Sequence, residues 1–422
     1  MTANPDTDNS LVDADVIAFG GNDQGFLEYP QPRYAKMRAR RPLLRVGDAV
    51  QTTTRAALDT ALRNAAVYSS GKEAAPLGNE RPLIPLQIDP PEHRKYRKLL
   101  DPLFSPRQMA RLEPQIAAQV NELIDTFIER GSCDFTNEFA IPLPSTIFLR
   151  LFGLPLSELP QLLEFNERTQ RPDGPPAQHL AIRQANARDV YRYFETVIAE
   201  RRTQPLGDDL LSKLLVAEVE GVPLTDEELV DISFLMILAG LDTITDTLTC
   251  SFKFLAEHPA HRQQIVDHPS LIPSAVEELL RWETPVMSII RVARDDSEIE
   301  GCPVHRGDIL LACLGSANTD DAEFERAGEV VFDRNPNRHV AFGGGVHRCL
   351  GSHLARQELR VALREWHRRI PRYDLPPDFA PRYSDGLRSV RNLTLLFPPL
   401  SAGRPPAPGQ RPGAVTRGAS GA

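Results

Sequence analysis

The 422-residue chain is predicted to fold as a single, mainly α domain with a minor β region. Its long segments repeat apolar residues at helical spacing, while its strand-like pieces are short and few. No linker composition interrupts residues 15 to 395. Hydrophobic residues make up 41% and charged residues 25%, which suits a globular chain with a large core. The 37 prolines imply many short loops. The domain is assigned to 16–397, with disordered ends at 1–15 and 398–422, the latter rich in Pro, Gly and Arg.

The elements are justified in chain order. Leu43–Val46 is a short apolar strand. Asp89-Pro90-Pro91-Glu92 opens a helix with prolines near its first turn, and His93 and Arg97 share a face of it. Ile116 to Glu129 carries Ile116, Val120, Leu123, Ile124 and Phe127 at helical period. Ala185 to Arg202 repeats the pattern with Val190, Tyr193, Val197 and Ile198. Thr225 to Glu257 is expected as one helix, with Thr225 and Glu228 forming a capping box and Pro259 marking the stop. About 33 residues at ~1.5 Å each would span roughly 50 Å. Its middle, Phe234 to Ala239, is apolar all round and so should cross a domain interior. Ser288–Ala293, Ile309–Cys313 and Leu393–Phe397 complete the strands. An apolar stripe from Leu350 to Trp366 marks a late helix.

Composition excludes several classes. A net charge of −9 argues against a nucleic-acid partner. No run of 18 apolar residues predicts a membrane span, and the N-terminus is polar and acidic. Cys133, Cys250, Cys302, Cys313 and Cys349 make no spaced framework, which fits a reduced cytoplasm.

The most informative stretch is Phe342-Gly343-Gly344-Gly345-Val346-His347-Arg348-Cys349-Leu350-Gly351. Its glycines allow a tight turn and close approach to a flat ligand. A thiol near a helix N-terminus feels the positive end of the dipole, which favours thiolate. Such a thiolate can bind iron or act as a nucleophile. A second landmark lies at Ala239-Gly240-Leu241-Asp242-Thr243. Gly240 weakens the helix, and Thr243 can bond back to a carbonyl one turn earlier. A local groove beside a hydroxyl and a carboxylate is expected.

The cysteine loop resembles the haem-binding loop of the cytochrome P-450 haem-thiolate monooxygenases, most closely the soluble bacterial members of the camphor monooxygenase type. The resemblance covers nearly the whole chain and implies one mostly helical domain with a minor β region. It makes Cys349 the proximal ligand of the iron of haem b, iron protoporphyrin IX, pushing electron density that favours O–O cleavage. The cofactor would also meet Phe342, Gly343, Leu350, Gly351 and Ala355. His93, Arg97, Arg291 and His347 would partner the propionates. Asp242 would gate proton supply and Thr243 would hydrogen-bond the oxygen being activated. Glu278, Arg281 and Arg334 match a structural Glu-x-x-Arg element with its further arginine.

The resemblance also places Leu235, Leu238, Ala239, Val286, Met287 and Leu387 around an apolar substrate pocket, implying a small or medium hydrophobic substrate. The 69–87 loop should cover it, with Arg81 or Gln87 as polar anchors. No flavin, nicotinamide or iron–sulfur motif occurs, so electrons are expected from a separate ferredoxin and ferredoxin reductase acting on a monomer. Arg348, Arg356 and the basic residues from His93 to Lys98 are expected to form the docking patch. Two alternatives stay open: a haem-thiolate peroxygenase or isomerase, and a haem sensor without turnover.

Overall fold

The computed structural model describes residues 23–46, 49–384 and 387–399. The ends predicted to be disordered lie outside the described residues, except Pro398 and Pro399. The longer helices are α1 Arg55–Arg63, α2 Glu92–Leu100, α3 Glu113–Asp125, α4 Pro142–Phe152, α5 Leu159–Gln170, α6 Pro176–Arg202, α7 Asp226–Gly240, α8 Thr243–Glu257, α9 Pro259–Asp267, α10 Ile272–Glu283 and α11 Ser352–Arg369. A five-stranded sheet is built from β1 Leu43–Val46, β2 Ala49–Thr52, β3 Tyr68–Ser69, β4 Ser288–Ala293 and β5 Ile309–Cys313, in the order β1-β2-β5-β4-β3. Only the β2–β5 pairing is parallel; the others are antiparallel.

The helical body packs around Trp366 of α11, which is fully buried. Phe127, Phe135, Phe139 and Phe252 surround its ring at centroid distances of 5.0–5.8 Å. Edge-to-face contacts of this kind add to the burial of large apolar rings. They join α8, α11 and the segment between α3 and α4, so the helix that follows the cysteine loop is anchored at the centre of the core. The sheet stands beside this body. Register pairs Leu310 with Arg291, which puts an arginine on the second-to-last strand.

The single long helix expected from Thr225 to Glu257 is divided. The capping box forms with both of its bonds, but α7 ends at Gly240 and α8 begins at Thr243. Leu241 and Asp242 keep near-helical dihedrals (φ −93° and −95°), so the break is a kink rather than a turn. Two features produce it. The Thr243 hydroxyl donates to the Ala239 carbonyl at 3.1 Å. A ring from α4 packs against Gly240, where a Cβ would stand 2.6 Å from Phe148 Cδ2. Pro259 starts α9 one residue after the His258 cap, rather than merely ending a helix.

Other boundaries shift modestly. The Ile116–Glu129 helix begins at Glu113, beside Pro114, and ends at Asp125. The Ala185–Arg202 helix begins at Pro176. The Leu393–Phe397 strand shortens to Thr394–Leu396, paired with Ser132–Asp134. Strands β2 and β3 were not signalled by sequence, because each is too short to show a period.

Candidate active site

The cysteine loop is closed by its own backbone. The Cys349 N–H donates to the Phe342 carbonyl at 2.9 Å, and the Gly343 N–H donates to Val340 at 2.8 Å. Gly345 has φ +64°, and a Cβ there would lie 2.0 Å from the Leu62 carbonyl oxygen of α1. The glycine is therefore required by the neighbouring helix as well as by the turn. Cys349 lies just before α11, whose N-cap is Gly351. It keeps accessible surface, although protein surrounds it closely. Burial pushes its thiol up, against the Gly351 N–H and the charges of Arg97, Arg348 and Arg356. Desolvation thus opposes the preference for thiolate that a helix N-terminus gives. A coordinated cation would reverse the balance.

Helix α2 and the cysteine loop meet. The Arg97 Nη1 donates to the Arg348 carbonyl at 2.7 Å, and its Nε donates to Asp101 at 2.7 Å. The rings of His93 and His347 lie 4.2 Å apart between centroids. His347 Nε2 is 3.7 Å from Asp89, beyond hydrogen-bond reach. Asp89 is occupied by Ser69 Oγ at 2.6 Å, the Ser70 N–H at 3.0 Å and Arg294 at 2.5 Å. Arg291 points from β4 and is 6% exposed; it donates to the Ile290 carbonyl at 2.7 Å. Burial lowers its guanidinium to about 10, with Asp89 opposing. Burial, then the charge of Arg97, lowers His93 to about 4; burial, then His93 and Arg291, lowers His347 to about 3. The structure thus brings together all four residues assigned to propionates.

The groove residues form a second cluster. Asp242 is buried and accepts from Arg171 Nη2 at 2.6 Å. The same nitrogen donates to Glu167 at 2.7 Å. Ala239 is exposed although residues 229–238 of α7 are buried, which marks the open side of the helix at the kink. Sequence reasoning missed Arg171 as the partner of Asp242; they lie 71 residues apart and no local pattern links them.

Glu278, Arg281 and Arg334 meet in the interior. Arg281 donates to both Glu278 oxygens at 2.7 and 2.8 Å, and Arg334 Nε donates at 3.0 and 3.1 Å. Asn337 and the Val331 N–H add further donors at 3.0 and 2.8 Å. This network, which surrounds both Glu278 oxygens with donors, fixes the segment that leads into the cysteine loop.

Leu235, Leu238 and Met287 are buried, while Val286 and Leu387 are partly buried. Leu387 follows two residues outside the described set. The predicted polar anchors of the 69–87 loop serve the fold. Gln87 accepts from Asn79 at 2.6 Å and from the Leu83 N–H at 2.9 Å. Arg81 pairs with Asp231 of α7 at 3.0 Å and lies over the Tyr191 ring at 4.7 Å. The loop is thereby clamped onto α7 and α6.

These residues suit a haem. His93 has two buried ring nitrogens without partners and His347 has one, so donors are available for carboxylates. Arg291 is a buried cation whose guanidinium bonds to a backbone carbonyl and, among the described residues, to no carboxylate. A cysteine with accessible surface faces the same cluster through Arg97 and Arg348.

The comparisons agree with this geometry. The family model for cytochrome P450 matches residues 83–368. A probable cytochrome P450 127A1 of Sinorhizobium fredii is 37% identical over 80% of each chain. The steroid C26-monooxygenase of Mycolicibacterium smegmatis is 34% identical, over 94% of this chain and 98% of its own. The solved structure of CYP109E1 from Bacillus megaterium with testosterone superposes with a TM-score of 0.82 at 29% identity, covering 89% of this chain and 99% of that one. No helix of the described residues is long and apolar enough to cross a membrane. With the match spanning most of the chain, this protein belongs to the cytochrome P450 family and is a haem-thiolate monooxygenase.

Proposed function

We propose that this enzyme inserts one oxygen atom from dioxygen into a small or medium hydrophobic substrate, with electrons from a ferredoxin and its reductase. It works as a cytoplasmic monomer on haem b. The observation that carries the reading is the pairing of an accessible Cys349 with the buried His93 and His347, whose ring nitrogens lack partners, and the buried Arg291 on one side, and the kinked Ala239–Thr243 groove on another helix.

In this reading Cys349 holds the iron, and His93, His347, Arg291 and Arg97 bind the propionates. Phe342, Gly343, Leu350, Gly351 and Ala355 border the cofactor. When bound, the haem supplies reductive activation of dioxygen. The chain supplies the rest. Thr243 presents a hydroxyl at the kink, and Asp242, held by Arg171, brings protons to it. Leu235, Leu238, Ala239, Val286, Met287 and Leu387 exclude water and hold the substrate. The acid–alcohol pair favours a monooxygenase over a peroxygenase, which takes its oxygen already reduced.

The test is spectroscopic. The reduced carbon monoxide complex should absorb at the long-wavelength position of thiolate ligation, and Cys349→His should abolish that band. An unchanged band in the variant would overturn the ligand assignment. Testosterone is a suitable first probe because a structurally similar enzyme binds it. Product from testosterone or a panel of apolar compounds, dependent on added ferredoxin and reductase, supports the reaction. Turnover with peroxide but never with ferredoxin would favour the peroxygenase.

A further inference from the structure

Asp246 lies one helical turn beyond Asp242 on α8, and the Asp246 N–H donates to the Asp242 carbonyl at 2.9 Å. Residues so spaced share a face, with Cβ atoms roughly 5–6 Å apart. Asp246 is 0% exposed, and neither carboxyl oxygen has a hydrogen-bond partner. An ionised carboxylate in that setting is costly. Beside it, Arg171 is only half used: Nη2 serves Glu167 and Asp242, while the buried Nη1 has no partner. Two unfilled acceptors and one unfilled donor therefore sit in one buried cluster, next to the acid of the groove.

We propose that Asp246 is a proton reserve behind Asp242: it passes its proton to Asp242 when Asp242 leaves Arg171, and Arg171 then takes the Asp246 carboxylate in exchange. This rests on the monooxygenase reading. The step balances without electron transfer. An O–H bond breaks at Asp246, one forms at Asp242, and the positive guanidinium changes partners. The proton is replaced from bulk water when the Arg171–Glu167 pair opens, since the Glu167 side chain is 46% exposed.

The surroundings agree. Burial, then the charge of Asp242, raises the Asp246 carboxyl to about 7, against Ser389, Arg171 and Arg391. Ser389 is near enough to favour the carboxylate without making a hydrogen bond of normal length. Cys250, on the same helix, also feels Asp246. Glu167 is linked to Arg391 at 3.4 Å, so both arginines that face Asp246 are shared with that surface carboxylate. A like-charged pair resists holding both charges at once, which is the property a reserve needs.

The test uses the haem-loaded enzyme labelled with carboxyl-13C aspartate. Infrared spectra between pH 5 and 9 should show a protonated carboxyl band that disappears near neutrality. It should be absent in Asp246→Asn and present in Asp242→Asn. Oxygen consumption driven by reduced plant-type ferredoxin, with testosterone as the probe, should fall about tenfold or more in Asp246→Asn. That is less than a primary proton-transfer group often contributes, about 10²–10⁴-fold. Asp246→Glu should restore both band and rate, which a merely packed residue would not require. If Asp246→Asn fails to fold, the wild-type spectrum and Asp246→Glu still decide. No titrating band in the wild type, or one that survives in Asp246→Asn, overturns the proposal. So does an unchanged rate and pH profile. A wild-type enzyme that consumes no oxygen defeats the monooxygenase reading, while the band still decides whether Asp246 holds a proton.

Discussion

Glu277 of α10 and Arg356 of α11 are joined by three hydrogen bonds of 2.8–3.0 Å beneath the cysteine loop. The Arg356 guanidinium also lies over the Phe342 ring at 4.4 Å. Arg360 at 3.6 Å and His339 at 3.0 Å approach the same carboxylate. Arg356, expected from sequence to face a redox partner, is thus committed to holding the loop, and its side chain is only 17% exposed. Lys98 and Arg94 remain exposed on α2, whose Arg97 touches the loop.

From this relationship, Arg356→Ala should destabilise the protein by about 2 kcal/mol, between a surface pair and a fully buried one. Urea denaturation measures it. Lys98→Glu with Arg94→Glu should instead leave stability nearly unchanged and slow ferredoxin-driven reduction several-fold at low salt. The difference should shrink as salt rises, because screening length falls to about 10 Å at 0.1 M. Stopped-flow reduction that ignores both charge and salt would place docking elsewhere.

Thr243→Ala removes the hydroxyl that donates to Ala239. Substrate-induced spectra should persist, while product per reductant consumed drops and peroxide rises. Tight coupling in the variant would remove Thr243 from the proton path. The kink itself should survive, since Phe148 against Gly240 also imposes it.

Glu278 is 0% exposed and neutralises Arg281 and Arg334. Glu278→Gln leaves two buried cations with a neutral partner and should cost about 3–5 kcal/mol. The expected readouts are a lower denaturation midpoint and poor haem incorporation. Arg281→Lys should also be damaging, because a lysine cannot reproduce bonds to Glu278, Asn318, Ala327 and Glu329 together.

Stability should fall on acidification in two ranges. Burial pushes the Glu277 carboxyl up, but His339 and Arg356 outweigh it and hold it at about 2, against an unfolded value of 4.5. A depressed carboxyl stabilises above its unfolded value, so this contribution, about 3 kcal/mol by linkage, fades between pH 4.5 and 2. His367 is buried and lowered to about 4. The unfolded chain takes up that proton first, so stability also falls from pH 6.5 toward 4. Asp246 acts oppositely: the fold keeps its proton up to about 7, so stability falls as pH rises from 3.8. Asp246→Asn should therefore steepen the gain in stability between pH 4 and 7, followed by urea midpoints. Identical slopes would contradict the buried acid.

The sequence by itself determined the local elements and the motif-bearing positions. Strands Leu43–Val46, Ser288–Ala293 and Ile309–Cys313 coincide with the structure, because β-branched and apolar runs bounded by turn residues carry their own signal. The capping box at Thr225 and the stripe leading to Trp366 were equally local. Glu278, Arg281 and Arg334 could be grouped only through resemblance. Tertiary structure decided what depends on distant neighbours. Phe148 divides the long helix at Gly240, Leu62 makes glycine obligatory at position 345, and Glu277 withdraws Arg356 from the surface. Arg171 reaches Asp242 from another helix end, and the Asp246 carboxyl is raised because packing removes its water and sets the charge of Asp242 beside it. Periodicity reports which face of an element is apolar. It cannot report desolvation or the partner of a charge, since both arise from residues far apart in the chain.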